Sequence, residues 1–242
     1  MKKILKMKRA LVTGGNRGIG RAIALSLAKN GAAVCITGRN KKTLTSCLKE
    51  LKRYNKDCMA LPCDVRIEKE QKKVFGRIMD KYKKLDICIP NAGEATLASA
   101  TQTSLEQWNH DIGINLTGVF ITAKEAMKIM MKQKSGNIIG IVSKSGKGAA
   151  YLRAAYGASK WGALGFLKSL AIEGRNNNVK VSAICPGCVA TDFQKGNPSG
   201  MEWMMSADAV AQAVQYILSL EDKAYVDELV LSTWERPADK RG

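Results

Sequence analysis

An α/β fold, a single doubly wound parallel sheet with helices on both faces, is what the sequence predicts, and three observations predict it. Apolar runs of strand length alternate with helix-period segments along nearly all of the 242 residues. A glycine-rich turn stands where the first run gives way to the first helix. No Gly/Ser- or Pro-rich tract reads as a linker, and the five prolines fall just past apolar runs or in loop-like segments. Sheets of this kind bind ligands beyond the carboxyl ends of their strands, so functional residues are expected just after each run.

The elements follow in order. RALVTG (9–14) leads into the helical GIGRAIALSLAKNG, AAVCITG (32–38) into KKTLTSCLKELKRY, and CMALPCD (58–64) into EKEQKKVFGRIMDKY. LDICIP (85–90) precedes one long helical stretch from about Ser104 to Lys132. NIIGIVS (137–143) comes next, then a helix from about Tyr151 to Glu173, and then VKVSAICPG (179–187). A helix from about Ala207 to Leu220 and a strand around Glu228 to Leu231 bring the strand count to about seven.

Composition narrows the classes. Hydrophobic residues form 45% of the chain, ample for a core of this size. The basic start MKKILKMKRALVTGG has too short an apolar stretch for a signal peptide, and no segment approaches the roughly eighteen apolar residues of a membrane span. The seven cysteines lie mostly in apolar runs, as reduced buried thiols do, so a cytoplasmic location without a membrane partner is expected. CPGC (185–188) is open to a redox or metal reading. It lacks a second C-x-x-C, and the single histidine, His110, lies in a polar helical segment, so a strand end and turn is preferred and no metal is expected.

The net charge of +18 is unevenly spread: residues 1–49 carry twelve Lys/Arg and no Asp or Glu. Three readings compete: a lysine-rich composition without local purpose, an anionic cofactor bound near the N-terminus, and nucleic-acid binding. The last lacks aromatic interleaving and any helix-turn-helix or zinc-finger pattern. TGGNRGIG favours the cofactor. Gly14, Gly18 and Gly20 sit at the turn from strand to helix, where a phosphate must approach backbone N–H groups closely. An NAD site would place a carboxylate about twenty residues beyond the first glycine. That point reads TGRN, and the first acid of the chain is Glu50. Arg39 at the strand end and Arg17 in the glycine turn can instead fork onto a 2′-phosphate, which points to NADP(H).

One further pair matters for chemistry. Tyr156 and Lys160 stand four apart in AAYGASKWGALGFL, although about 0.7 Tyr-x-x-x-Lys matches are expected here by chance. Its neighbours give it weight. TGxxxGxG, an Asn-Ala-Gly after the fourth run, an Asn in the long helix, a Ser after the fifth run and Tyr-x-x-x-Lys occur in an order that resembles the short-chain dehydrogenase/reductase family, its 3-oxoacyl-carrier-protein reductase-like members included. The likeness runs from Arg9 to about Leu231. It implies a Rossmann-type fold, with residues 1–242 forming one nucleotide-binding domain.

The resemblance also implies roles. Gly14, Asn16, Arg17, Gly18, Ile19 and Gly20 match the pyrophosphate turn, Asp64 and Val65 the pair at the adenine ring, and Asn91, Ala92 and Gly93 the turn beside the cofactor. Pro186, Gly187, Val189 and Thr191 match the loop that meets the nicotinamide carboxamide. Asn115 matches the helix residue that steadies a water of the proton relay. Ser143 and Ser145 compete for the serine position, and a spacing of thirteen residues before the tyrosine selects Ser143. Reducing a ketone develops an alkoxide that needs a donor and a proton. Tyr156 would supply the proton, with Lys160 lowering the phenol's pKa and holding the nicotinamide ribose, while Ser143 donates to the substrate oxygen.

Departures and alternatives complete the reading. Pro90 replaces the first Asn of the family's frequent Asn-Asn-Ala-Gly. Lys144, Lys147 and Glu94 are either solvated loop charges or substrate contacts. The chain end ELVLSTWERP lacks the family's Asp-Gly-Gly, which weighs against the tetramer more than the dimer, so the partners expected are a second copy, as homodimer or homotetramer, and a small carbonyl or alcohol substrate. A short lid around 192–206, with Phe193, Met201, Trp203, Met204 and Met205, either covers a hydrophobic carbonyl compound or packs on the core. A basic surface suits a thioester-linked 3-oxoacyl substrate. The expected function is an NADPH-dependent carbonyl reductase. A non-catalytic NADP-binding scaffold and, further behind, a nucleic-acid-binding protein are the alternatives.

Overall fold

A computed structural model of the chain describes residues 5–194 and 201–234. Seven parallel strands form one sheet in the order β3-β2-β1-β4-β5-β6-β7. They are β1 Arg9–Val12, β2 Ala33–Gly38, β3 Met59–Pro62, β4 Ile87–Ile89, β5 Gly136–Ile141, β6 Val179–Pro186 and β7 Glu228–Leu231. The order reverses between β1 and β4, which pair through Ala10↔Ile87 to Val12↔Ile89, and the crevice at that reversal is where such sheets bind ligands.

Among the described residues seven α-helices cover the faces: α1 Gly18–Lys29, α2 Lys41–Lys52, α3 Glu68–Tyr82, α4 Leu105–Ile112, α5 Gly118–Gln133, α6 Ala154–Gly174 and α7 Ala207–Ser219. Alternating strand residues feed two cores. Ala10, Val12, Val34 and Ile36 pack with Ile23, Leu27, Leu51 and Val214 of α1, α2 and α7. Leu11, Cys35 and Cys88 pack with Ile78, Met130 and Leu167 of α3, α5 and α6. Strands buried on both faces have to be apolar throughout, which is why they read as continuous runs rather than alternations.

Local chemistry sets the helix ends. Asn40 caps α2 by accepting from Lys42 and Thr43 N–H, and Ser104 forms a capping box with Gln107 ahead of α4. The long helical stretch expected from Ser104 to Lys132 is not one regular helix. A π-helical turn at Gly113–Thr117 separates α4 from α5, closed by Gly118 N–H donating to Gly113 O. A Cβ on Gly118 would come 2.8 Å from Val65 Cγ2, so a glycine is needed where this helix crosses the β3 end.

Candidate active site

A cavity of about 1090 Å³ opens at the β1/β4 reversal and runs from Arg39 and Thr43, over the glycine turn, to Tyr156, Phe193 and Trp203. Every residue expected to be catalytic or cofactor-binding lines it except Asn115, which is buried behind the wall. At the glycine turn, Gly14 and Gly18 have φ of +62° and +50°, a region costly for any residue with a Cβ. Gly20 serves packing instead: a Cβ there would lie 2.3 Å from Gly14 O and 2.5 Å from Asn91 Nδ2. Helix α1 begins with no side-chain cap and no acid in its first turn, so its leading N–H groups are open to an anion.

The surrounding loops are tied to that turn. Thr13 Oγ1 accepts from both Asn91 N–H (3.0 Å) and Ala92 N–H (3.1 Å), while Asn91 Nδ2 donates to Thr13 O at 2.8 Å. Asn16 Nδ2 donates to Thr43 Oγ1 at 2.6 Å, joining the turn to α2. Thr13 and Thr43 carried no sequence expectation. Asp64 is clamped by Arg66, whose hydrogen bonds hold its carboxyl below the usual range. Pro186, Gly187, Val189 and Thr191 line the opposite wall, and Thr191 faces Gly18 so closely that a Cβ there would touch it at 3.4 Å.

Glu94 is neither a solvated loop charge nor confined to the substrate region, the two alternatives left open for it. One carboxylate oxygen pairs with Arg39 and lies 3.9 Å from Arg17, and the other is 3.3 Å from His110 Nε2. The reason is the position of the Asn-Ala-Gly turn, which carries Glu94 across the mouth of β1. Lys147 is likewise engaged, 2.5 Å from Glu228, and Lys144 donates to Ser232 Oγ at 3.0 Å.

At the other end, Ser143 follows β5 and its Oγ accepts from Ser145 N–H at 3.1 Å. Ser145 thus supports Ser143, and both line the cavity. Tyr156 and Lys160 lie one turn apart on α6 and are 7% and 3% exposed. Asn115, fully buried in the π turn, donates to Glu94 O at 2.8 Å and accepts from Glu94 N–H at 3.2 Å. A Cβ on Gly93 would come 2.9 Å from Asn115 Oδ1 and 3.5 Å from Lys160 Nζ, so both groups border the space that this glycine leaves.

The electrostatics correct one expectation. Lys160 was assigned the lowering of the Tyr156 pKa. In the structure burial raises the phenol, and the groups that draw it back are the Ser143 hydroxyl and then the charge of Arg153, whose guanidinium carbon is 5.6 Å from the ring centroid. Lys160 Nζ lies at the same distance from that ring, but burial brings its own pKa down to about 8. Arg153 and the buried Asp111, which accepts from Thr96 N–H at 3.1 Å and Thr96 Oγ1 at 3.0 Å, were both missed. A carboxylate about one helical turn before Asn115 was the available signal for Asp111.

The lid divides between its two alternatives. Phe193 and Trp203 line the cavity, whereas Met204 is buried and Met205 packs on the core. Residues 195–200 of that segment lie outside the described residues. Of the CPGC cysteines, Cys185 is buried at the end of β6, where burial raises its thiol pKa, and Cys188 is half-buried in the following loop.

With this geometry in place, comparison with known proteins is informative. Residues 8–202 match the family model described as short chain dehydrogenase. The chain belongs to the short-chain dehydrogenase/reductase family. Among relatives of this dehydrogenase, a 3-oxoacyl-[acyl-carrier-protein] reductase of Synechocystis sp. is 37% identical over 76% of the chain and 75% of that protein. An uncharacterized oxidoreductase of Staphylococcus epidermidis is 31% identical over 94% of the chain and 97% of that protein. Among solved structures, an alcohol dehydrogenase of the archaeon Thermococcus sibiricus, complexed with 5-hydroxy-NADP, superposes with a TM-score of 0.87 at 26% identity, covering 95% of this chain and 98% of that one. A metagenomic short-chain oxidoreductase in complex with NADP gives 0.85 at 26% identity, over 96% and 100% of the two chains. This short-chain dehydrogenase is thus an oxidoreductase of a family that binds nicotinamide cofactors. Among the described residues no helix is long and apolar enough to cross a membrane.

Proposed function

We propose that this short-chain dehydrogenase reduces a ketone to a secondary alcohol with NADPH and runs in reverse as a secondary-alcohol dehydrogenase. The observation that carries the reading is a single cavity bordered by Ser143, Tyr156 and Lys160 at one end and by Arg17, Arg39 and the glycine turn at the other. The residues fit the cofactor: Gly14 and Gly18 leave room for a pyrophosphate at the start of α1, and the arginines face the place of a 2′-phosphate. Asp64 and Val65 would flank the adenine, Asn91 to Gly93 would steady the sheet centre beside the cofactor, and Pro186, Gly187, Val189 and Thr191 would meet the carboxamide. The dihydronicotinamide, when bound, supplies the hydride.

The chain's own residues handle charge and proton. Ser143 donates to the carbonyl oxygen as negative charge develops, and Tyr156 protonates it. Burial keeps the Tyr156 phenol protonated until that moment. Lys160 would hold the nicotinamide ribose and, fed through a water that Asn115 steadies, would return a proton to Tyr156. Arg39 and Arg17 exchange the Glu94 carboxylate for the cofactor phosphate. At about 1.5 to 3 kcal/mol for each charge-assisted pair, reduced by their half exposure, the preference for NADPH is about ten- to hundredfold. A homo-oligomer through α5 and α6 accounts for the exposure of Phe120 and Trp161.

Fluorescence titration with NADPH and NADH tests the cofactor, and equal affinities would contradict it. NADPH oxidation across ketones and 3-oxoacyl thioesters then tests the chemistry. Tight NADPH binding with no oxidation of any compound would favour a non-catalytic scaffold.

A further inference from the structure

The substrate half of the cavity holds two donors for which the described residues provide no acceptor. The first is Arg153, at the N-terminus of α6, three residues ahead of Tyr156 and half-buried on the cavity wall. Its backbone is held firmly: Gly157 N–H donates to Arg153 O at 2.7 Å, Ala98 N–H donates to Leu152 O at 3.1 Å, and Ala98 bridges Arg153. The three arginines lining the cavity differ in their company. Arg17 and Arg39 share Glu94, whereas Arg153 pairs with no carboxylate among the described residues. The second donor is the indole N–H of Trp203, buried and without an acceptor among the described residues, on a side chain that lines the same cavity.

Guanidinium and indole are donor-only groups, and a buried donor left without an acceptor, as the Trp203 indole is among the described residues, is costly, while the half-buried Arg153 charge favours a counter-anion. A ligand that satisfies both must bring acceptor oxygens. A planar, permanently charged fork further selects a planar anion with two oxygens, which is a carboxylate. Phe193, with its ring centroid 6.0 Å from that of Tyr156, gives the same space an apolar wall suited to a short aliphatic remainder. Of the carboxylates lining the cavity, Glu94 is held by Arg39, Arg17 and His110 and Asp64 by Arg66, and Asp192 is the one placed at this end.

We propose that Arg153, together with Trp203, binds a carboxylate on the substrate, so that this enzyme reduces oxo acids in preference to neutral ketones and thioesters. The proposal rests on the oxidoreductase reading of the cleft. A carboxylate on Arg153 sets its carbonyl beside Ser143 and Tyr156. It also neutralises the nearby positive charge that favours the phenolate, and so keeps Tyr156 in the protonated form that reduction requires.

The test uses the full chain saturated with NADP⁺, titrated calorimetrically with short 2- and 3-oxo acids and with their methyl esters, alongside NADPH oxidation by the same compounds and a 3-oxoacyl thioester. Acids are expected to bind about tenfold or more tightly than their esters, the discrimination of one charge-assisted pair. Arg153→Gln is expected to erase that difference while NADPH affinity, read by fluorescence, shows the variant folded. Arg153→Lys restores part of it. Esters binding as well as acids, or Arg153→Gln weakening both equally, would overturn the proposal. Acid-selective binding without turnover of any compound would sink the oxidoreductase reading and leave the carboxylate site standing. Preferential turnover of ester and thioester would do the reverse.

Discussion

The two ends of the cleft hold their cations in opposite ways. Lys160 is 3% exposed and loses its water to apolar walls, which brings its pKa to about 8. The side chains of Arg17 and Arg39 are 48% and 50% exposed and keep company with a carboxylate. On the proposed function, chemistry falls where the dielectric is low and each charge acts strongly, and cofactor selection where charges are wet, paired and screened by salt. Changes at the buried end should act on turnover, and changes at the exposed end on affinity.

The sharpest way to break this contrast is Tyr156→Phe. Turnover is expected to fall about 10² to 10⁴-fold in steady-state assays while NADPH titrations stay nearly unchanged. Next comes Arg39→Asp, which should reverse the coenzyme preference, moving the NADPH to NADH affinity ratio about ten- to hundredfold. A smaller effect is expected with pH. Lys160 is charged below about 8, so kcat/KM for reduction should decline as pH passes that value, and Lys160→Arg, always charged, should remove the decline. The same shift bears on stability. Between pH 8 and 10.5 the unfolded chain holds the proton more tightly, so stability should rise through that window in denaturant titrations, and Lys160→Met should flatten the rise. The smallest effect belongs to Glu94→Gln: releasing both arginines should tighten NADPH binding by no more than about fivefold, a gain that fades as salt is added.

The same contrast explains what was legible in the sequence. Strands buried on both faces announce themselves as apolar runs, so β1 at Arg9–Val12 and β2 at Ala33–Gly38 fall where the apolar runs put them. Glycines forced by backbone geometry were equally readable, and Ser143, Tyr156 and Lys160, picked out by motif order, line one cavity. What escaped depends on side chains meeting across long chain separations. Glu94 reaches Arg39 over 55 residues, an ion pair that no local pattern encodes. The division of the lid, with Trp203 facing the cavity and Met205 the core, is set by tertiary packing between neighbours only two positions apart. Arg153 reads locally as one more cation in a basic chain, and only its place on the cavity wall beside Tyr156 makes it conspicuous.

The π turn at Gly113–Thr117 has a consequence for the phase of everything beyond it. One extra residue per turn offsets the angular position of the following helix by about 100°, one residue's share of an α-helical turn. Asn115 can then reach the Glu94 backbone behind the cleft wall while Val119, Ala123 and Ala126 of α5 still face the sheet. Shortening this turn by one residue would rotate those positions out of register with the core, so the place of Asn115 and the packing of α5 stand or fall together.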